Sequence, residues 1–292
     1  MTDTGVVTAR GLQKSFGRRR VLDQLDLTVE RGEAVGLLGA NGAGKTTLLK
    51  SLLGLQPVDA GRCAILGESS SSLSPAARAR IAYVPQTSGQ FSWLTGQAML
   101  RYVSAFYPGF DWAYARDLAA RWKLVLRTPI QVLSPGQQQR LSIVRALSTR
   151  PDVLILDEPI ASLDPATRIA VIEELLSERD RRPVSVIFSS HLIGDLERLC
   201  SKFAVLAGGK IAVVEDVVWF KNLARVVLEG HESALEKIAV PGARLIRKAG
   251  DGRRVVVVER SGIERLAGIL PSTLRVTIDE PDVETLTSEW MQ

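Results

Sequence analysis

The stretch Gly39-Ala40-Asn41-Gly42-Ala43-Gly44-Lys45-Thr46-Thr47 constrains this chain more than any other. An apolar run, Ala34-Val35-Gly36-Leu37-Leu38, precedes it, and Leu48-Leu49-Lys50-Ser51-Leu52-Leu53 follows. The order is strand, glycine-rich loop, helix, which is the setting a phosphate-binding loop requires. Glycines let the backbone curl until successive N–H groups face one point, and the helix adds its positive N-terminal end. Gly39, Asn41, Gly42, Gly44 and Thr47 are therefore expected to cradle a polyphosphate. Lys45 would reach its β- and γ-phosphates, and the Thr46 hydroxyl would ligate Mg²⁺. A plain glycine turn is the alternative, and the Lys-Thr pair placed directly after the last glycine argues against it. The loop implies a nucleoside triphosphate without saying what the triphosphate drives.

With 292 residues, the chain is long for one domain and suggests a large domain with a smaller companion. Its first residues lack the basic-then-apolar pattern of a secretory leader, and no apolar run approaches the roughly 18 residues of a membrane-spanning helix. Cys63 and Cys200 fit no metal spacing and read as reduced, buried thiols of a cytosolic protein. A net charge of +5 suits an anionic ligand or a membrane surface, and there is no long basic block of the kind that binds nucleic acid.

Short strands are expected around residues 6–9 and 25–29, joined by an exposed basic turn from Lys14 to Arg20. Phe16 in that turn is as well placed to stack on a nucleobase as to fill a core. Residues 87–127 hold nine of the sixteen aromatic residues. Met99, Tyr102, Val103 and Phe106 recur at the spacing of one helical face, so this stretch reads as a helical insertion. Most of its rings are expected to be core, and some to dock a partner helix. Leu133-Ser134-Pro135-Gly136-Gln137 opens a further helix, with Ser134 as N-cap and Pro135 at the first helical position.

Val153-Leu154-Ile155-Leu156 is apolar throughout, as a central parallel strand must be. It delivers Asp157 and Glu158 to its C-terminal edge, where ligands sit in open α/β sheets. Two adjacent acids there are costly unless they act, Asp157 on Mg²⁺ and Glu158 as the base for an attacking water. Ala161-Ser162-Leu163-Asp164-Pro165 is a turn into a helix. A second apolar strand, Val184 to Ser190, ends at His191, which by itself reads as a satisfied surface histidine and by its place at a strand end is positioned for a γ-phosphate. A hairpin spans residues 203–214. Beyond about Val218, strands at 225–228, 243–248, 253–258 and 274–278 alternate with helices at 232–240, 262–269 and 282–291.

In this order, residues 6 to about 216 resemble the nucleotide-binding subunit of an ATP-binding-cassette (ABC) transporter. Residues 39–47 look like Walker A and 153–158 like Walker B with its catalytic glutamate. Gln86 matches the Q-loop, Leu133 to Gln137 the signature motif, Ser162 to Asp164 the D-loop and His191 the switch histidine. Phe16 falls at the family's base-stacking aromatic. A Walker A alone is common to many ATPases and GTPases, whereas the signature pentapeptide between flanking glutamine and histidine is specific.

The resemblance implies an α/β fold: a P-loop ATPase cassette with an antiparallel β subdomain and a helical subdomain, plus a small C-terminal α+β appendage. The expected division is an ATPase domain at 1–217, its helical subdomain at about 87–150, and an accessory domain at 218–292. The implied ligands are ATP and Mg²⁺, the metal held by Thr46, Gln86 and Asp157. Lys45, Gln86, Glu158 and His191 would carry the chemistry. Two copies would face head to tail over two ATP molecules, Ser134, Gly136, Gln137 and Asp164 completing the neighbour's site.

Further implications are a separately encoded transmembrane permease, a homodimer in preference to a heterodimer, no nucleic acid, and a peripheral place on the cytoplasmic face of the cell membrane. Softer similarities, at residues 106–112 and 189–197, point to bacterial exporters. A soluble ABC ATPase acting on ribosomes or nucleic acid is the alternative function. Two departures stand out, Pro135 for the usual second signature glycine and Ile160 for the usual threonine, and neither is expected to abolish activity.

Overall fold

The computed structural model describes residues 5–87, 91–190, 193–236, 238, 240–250, 252–271, 273–280 and 283–291. The chain forms two compact units, Met1–Val213 and Val214–Gln292.

A long antiparallel hairpin opens the first unit: β1 (Val7–Phe16) and β2 (Arg19–Val29). Both exceed the short strands expected from pattern, and most of the stretch expected as a basic turn is strand. Register shifts between Ala9 and Leu12 and between Leu12 and Lys14 break the alternation of apolar and polar residues, so the strand signal ends early. β3 (Ala34–Leu38), wholly buried, leads through the glycine loop into α1 (Lys45–Leu52). Next come β4 (Ala60–Ile65), β5 (Glu68–Ser69), α2 (Pro75–Arg78) and β6 (Ile81–Val84). Three helices follow: α3 (Gly96–Ser104), α4 (Trp112–Arg121) and α5 (Pro135–Ser148). The chain then returns through β7 (Val153–Asp157), α6 (Pro165–Arg181), β8 (Ser185–Ser190) and α7 (Ile193–Leu196). The hairpin β9 (Lys202–Ala207) and β10 (Lys210–Asp216) reaches the end of the unit.

Two sheets result, ordered β2-β1-β4-β5 and β10-β9-β3-β8-β7-β6. In the second sheet, β9, β3, β8, β7 and β6 are parallel, and their residues are buried on both faces, as crossover helices require. Register sets Leu38 beside Ser190 and Ser189 beside Asp157, so the C-terminal ends of β3, β8 and β7 lie level. Leu48, Leu49 and Leu52 of α1 share one core with Leu12, Leu22 and Leu25 of the antiparallel sheet and with Val35, Ile155 and Ile187. Each fully buried leucine is worth roughly 1.5–3 kcal/mol, which pins the helix behind the glycine loop.

A polar network ties α4 to α6. Asp111 caps α4 by accepting from the Tyr114 N–H at 2.8 Å, and it also accepts from Arg150 at 2.7 Å. Arg150 reaches on to the buried Glu178, which Arg181 and Arg182 also contact, at 3.1 and 3.3 Å. The Tyr114 hydroxyl donates to Glu174 at 2.8 Å.

In the second unit, α8 (Val217–Lys221) precedes β11 (Leu223–Glu229), α9 (Glu232–Glu236), β12 (Leu245–Lys248) and β13 (Arg253–Glu259). α10 (Ile263–Ile269), β14 (Arg275–Asp279) and α11 (Val283–Met291) complete it. From β11 to β14 the run is βαββαβ, and the antiparallel sheet order β12-β13-β11-β14 makes it a ferredoxin-like sandwich. Val226, Leu228, Val256 and Val258 form the helix-facing core with Leu235 and Leu266. Glu289 of α11 is buried and pairs with Arg225 at 3.1 Å and with Arg247.

Candidate functional site

The end of β3 bends sharply into the loop. Gly44 holds φ 110°, and a Cβ there would stand 3.0 Å from Val21 Cγ1, so both the dihedral and the space demand glycine. A Cβ on Gly39 would meet the Leu206 carbonyl at 2.8 Å. Gly44 is also the N-cap of α1, and no side chain caps that helix. Its first N–H groups are thus left to the loop, where an anion satisfies them. Asn41 and Gly42 are exposed, and Thr46 and Thr47 are half-buried.

Lys45 turns back under the loop. Its ammonium donates to the Gly39 carbonyl at 2.7 Å and to Ala40 at 3.4 Å, and it lies 3.2 Å from Glu158 Oε1. Lysine and glutamate are 7% and 6% exposed, so this is a nearly dry ion pair at the crossing of two motifs far apart in sequence. Glu158 holds φ 48°, a left-handed conformation that a non-glycine residue adopts only under constraint. The constraint is Ser189 of β8: its hydroxyl and its carbonyl both receive the Glu158 N–H, at 2.9 and 3.2 Å.

The same Ser189 hydroxyl donates to Asp157 Oδ1 at 2.9 Å, and the Tyr83 hydroxyl lies 3.4 Å from Oδ2. Burial and the neighbouring Asp157 carboxylate hold the Tyr83 phenol above its ordinary pKa, so it remains a donor. Asp157 is fully buried and, among the described residues, has neutral hydrogen-bond donors and no pairing cation. An uncompensated buried carboxylate fits a divalent cation. No cluster of three or more metal-ligating side chains exists among the described residues. Mg²⁺ is commonly held by one or two carboxylates together with substrate phosphates.

Phe16 ends β1 half-exposed, with the Lys14 ammonium 5.4 Å from its ring centre. Across the hairpin turn, Arg19 donates to the Gly42 carbonyl at 3.2 Å and so ties this edge to the glycine loop. Gln86 follows β6 and is exposed. His191 lies outside the described residues.

Ser134 caps α5 as expected, accepting from the Gln137 N–H at 3.3 Å. Gln137 returns the contact, its side chain accepting from the Ser134 N–H at 2.9 Å. This capping box fixes the helix start around exposed Ser134 and Pro135. A Cβ on Gly136 would stand 3.4 Å from the Ser162 carbonyl, so this helix start abuts the 161–164 turn. There Asp164 caps α6 through Thr167, at 3.0 Å to its N–H and 2.6 Å to its hydroxyl. Those two bonds hold the Asp164 carboxyl below its ordinary pKa.

The aromatic insertion divides. Tyr114 and Trp122 are buried, whereas Trp93 (70%), Phe106 (63%) and Tyr102 (49%) face solvent. Edge and tilted contacts at 5.2–5.9 Å join Trp93, Phe91, Tyr102 and Phe106 into one exposed chain of rings. The helical face expected from spacing is therefore split, Met99 turning inward and Tyr102 outward.

Sequence reading missed Ser189, Tyr83 and Arg19. Ser189 is one of three serines in the six residues of β8, so its hydroxyl carries no distinct signal, and its role follows only from β8 lying beside β7.

The sequence model of the ABC transporter family matches residues 22–161. An ABC transporter ATP-binding protein of Rhizobium meliloti is 35% identical over 234 residues, 77% of this chain and 86% of the relative. Nod factor export ATP-binding protein I of Burkholderia orbicola is 38% identical over 207 residues, 69% and 67% of the two chains. Among solved structures, an ATP-binding subunit of an ABC transporter superposes with TM-score 0.67 at 27% identity, covering 74% of this chain and 92% of that one. A dimeric ATP-binding cassette bound to ADP and Pi shares the fold, with TM-score 0.65 at 23% identity over 72% and 98% of the two chains.

Proposed function

Because this chain belongs to the ABC transporter ATP-binding family, we propose that it is the ATP-hydrolysing subunit powering export through a separately encoded transmembrane permease. The observation that carries this reading is the Lys45–Glu158 contact at 3.2 Å. It brings a phosphate-binding cation and a candidate base to one water-poor point, beside an uncompensated aspartate.

In this reading residues 1–217 are the ATPase domain. ATP enters with its phosphates on the N–H groups of Gly39 to Thr47, and Phe16 stacks on the base. Lys45 exchanges the Gly39 carbonyl and Glu158 for β- and γ-phosphate oxygens. Glu158, released from the ammonium, orients a water and takes its proton as the bond to the γ-phosphorus forms and the bond to ADP breaks, a role worth roughly 10²–10⁴-fold in rate. Mg²⁺ would be held by Thr46, Gln86 and Asp157 and would supply neutralisation of phosphate charge. Ser134 and Gly136 of a second copy, with Gln137 and Asp164 shaping those loops, close over the γ-phosphate, and its loss lets the copies part. His191 contacts the γ-phosphate.

Among the described residues no helix is long and apolar enough to cross a membrane, so the spanning part is assigned to the permease. The chain of rings from Trp93 to Phe106 is its docking face and sets this subunit at the cytoplasmic side of the membrane. The name of the Burkholderia relative supports the direction, export. The test pairs two measurements. Glu158→Gln abolishes turnover yet still holds ATP, and the native chain co-purifies from detergent with a multi-spanning protein. Near-normal hydrolysis by the variant removes Glu158 from its role, and sedimentation with ribosomes instead of membranes removes the permease.

A further inference from the structure

The two edges of the second unit's sheet are unlike. At one edge, β12 reads Leu245-Ile246-Arg247-Lys248 directly after Arg244, and stacking it antiparallel on a copy of itself sets cations against apolar residues. That is the usual guard against edge-to-edge association. The other edge, β14, reads Arg275-Val276-Thr277-Ile278-Asp279 and has β11 as its only strand neighbour among the described residues. Val276 and Ile278 are 38% and 45% exposed, and alternate N–H and C=O groups of an edge strand point outward without a ladder.

Read against itself antiparallel about Thr277, this strand is self-complementary. Arg275 falls opposite Asp279 of the second copy, Val276 opposite Ile278, and Thr277 opposite Thr277. Facing residues in an antiparallel pair project to the same side of the sheet. The two apolar pairs therefore meet on the helix-bearing side and the two charged pairs on the other. Asp279 already accepts from Arg225 at 2.7 Å, yet its side chain stays 36% exposed and can take a second guanidinium.

We propose that β14 is a homodimerisation edge: two copies of this chain pair antiparallel through residues 275–279 into one continuous eight-stranded sheet about a twofold axis. The contact needs no nucleotide and is separate from the ATP-dependent closure proposed above. It keeps two copies in company when the cassettes are open.

The twofold sets the two Thr277 Cα atoms roughly 4.5–5.5 Å apart, within the Cα separation a disulfide spans. Full-length Thr277→Cys, without nucleotide and under mild oxidation, is expected to give a covalent dimer. Ile246→Cys on the guarded edge is the control and is expected to stay monomeric. Native Cys63 and Cys200 are buried, with thiols pushed up by burial to about 11 and about 12, and compete poorly.

A charge exchange keeps the test open if the cysteine variant fails to fold. Arg275→Glu alone sets carboxylate against carboxylate, and Asp279→Lys alone sets cation against cation. Each is expected to weaken nucleotide-free self-association at least tenfold, and mixing the two is expected to restore it. No cross-link at Thr277, equal cross-linking at Ile246, or no recovery on mixing overturns the proposal. So does cross-linking of Thr277→Cys to a different protein, with none to itself. Because every arm omits nucleotide, failure here leaves the ATP reading untouched.

Discussion

Two places in the first unit bury charge, and they do so differently. Glu178 is saturated: Arg150 grips both its oxygens at 2.8 and 2.9 Å, and Arg181 and Arg182 add further contacts. At the loop, Lys45 relies on two backbone carbonyls and one carboxylate, and Asp157 relies on two hydroxyls. The first arrangement has no vacancy for a ligand. In the second, every partner of Lys45 is one that a triphosphate can replace. Buried charge alone does not mark a functional site, then; what marks it is charge held by exchangeable partners.

That contrast predicts opposite phenotypes. Glu158→Gln should cost about 10²–10⁴-fold in turnover, or roughly 3–5 kcal/mol of barrier. The melting temperature of the nucleotide-free chain should fall only modestly, because the glutamine's amide oxygen still accepts from Lys45, which also keeps the Gly39 and Ala40 carbonyls. Steady-state hydrolysis and a thermal melt on one sample decide this, and a large loss of stability would erase the distinction. Glu178→Ala should do the reverse. It strands several guanidinium groups, lowering stability by about 2–3 kcal/mol, and leaves hydrolysis per folded molecule near normal, as read from urea unfolding and turnover.

Phe16→Ala probes the rim. Loss of one stacking face should weaken nucleotide binding by about 1 kcal/mol, roughly fivefold in Kd, with stability unchanged because the ring is half-exposed. Titration calorimetry gives the value, and an unaltered Kd returns Phe16 to a structural role.

The smallest expected effect concerns acid. The Tyr114 N–H, followed by Arg150, holds the Asp111 carboxyl below its ordinary pKa. A carboxyl lowered on folding stabilises the fold above its unfolded pKa of about 4, and this is lost as pH falls through the lower folded value. Asp111→Asn keeps a capping acceptor without the titration. Its melting temperature should therefore fall less steeply below pH 4 than that of the native chain.

The elements of the site were legible wherever its signals were local. The glycine loop, the apolar run ending in Asp157 and Glu158, and Ser134 as a cap each lie in a few consecutive residues, and the structure sets them where expected. The linkages among them were not legible. Ser189 positions Glu158 because β8 pairs with β7, and Arg19 reaches Gly42 because β2 runs on past a bulged register. Neither fact has a local trace. The helix at Val217–Lys221 was missed because a four-residue apolar run shows no period, and the aromatic stripe of α3 misled because one helical face met both core and solvent.

The central claim is that two copies grip a triphosphate between them. Sedimentation velocity on a chain carrying Glu158→Gln, with Arg275→Glu added to silence any contact through β14, tests it most directly. The expected result is a monomer without nucleotide, a dimer with ATP and Mg²⁺, and a monomer again with ADP. A monomer at saturating ATP and Mg²⁺ would contradict it.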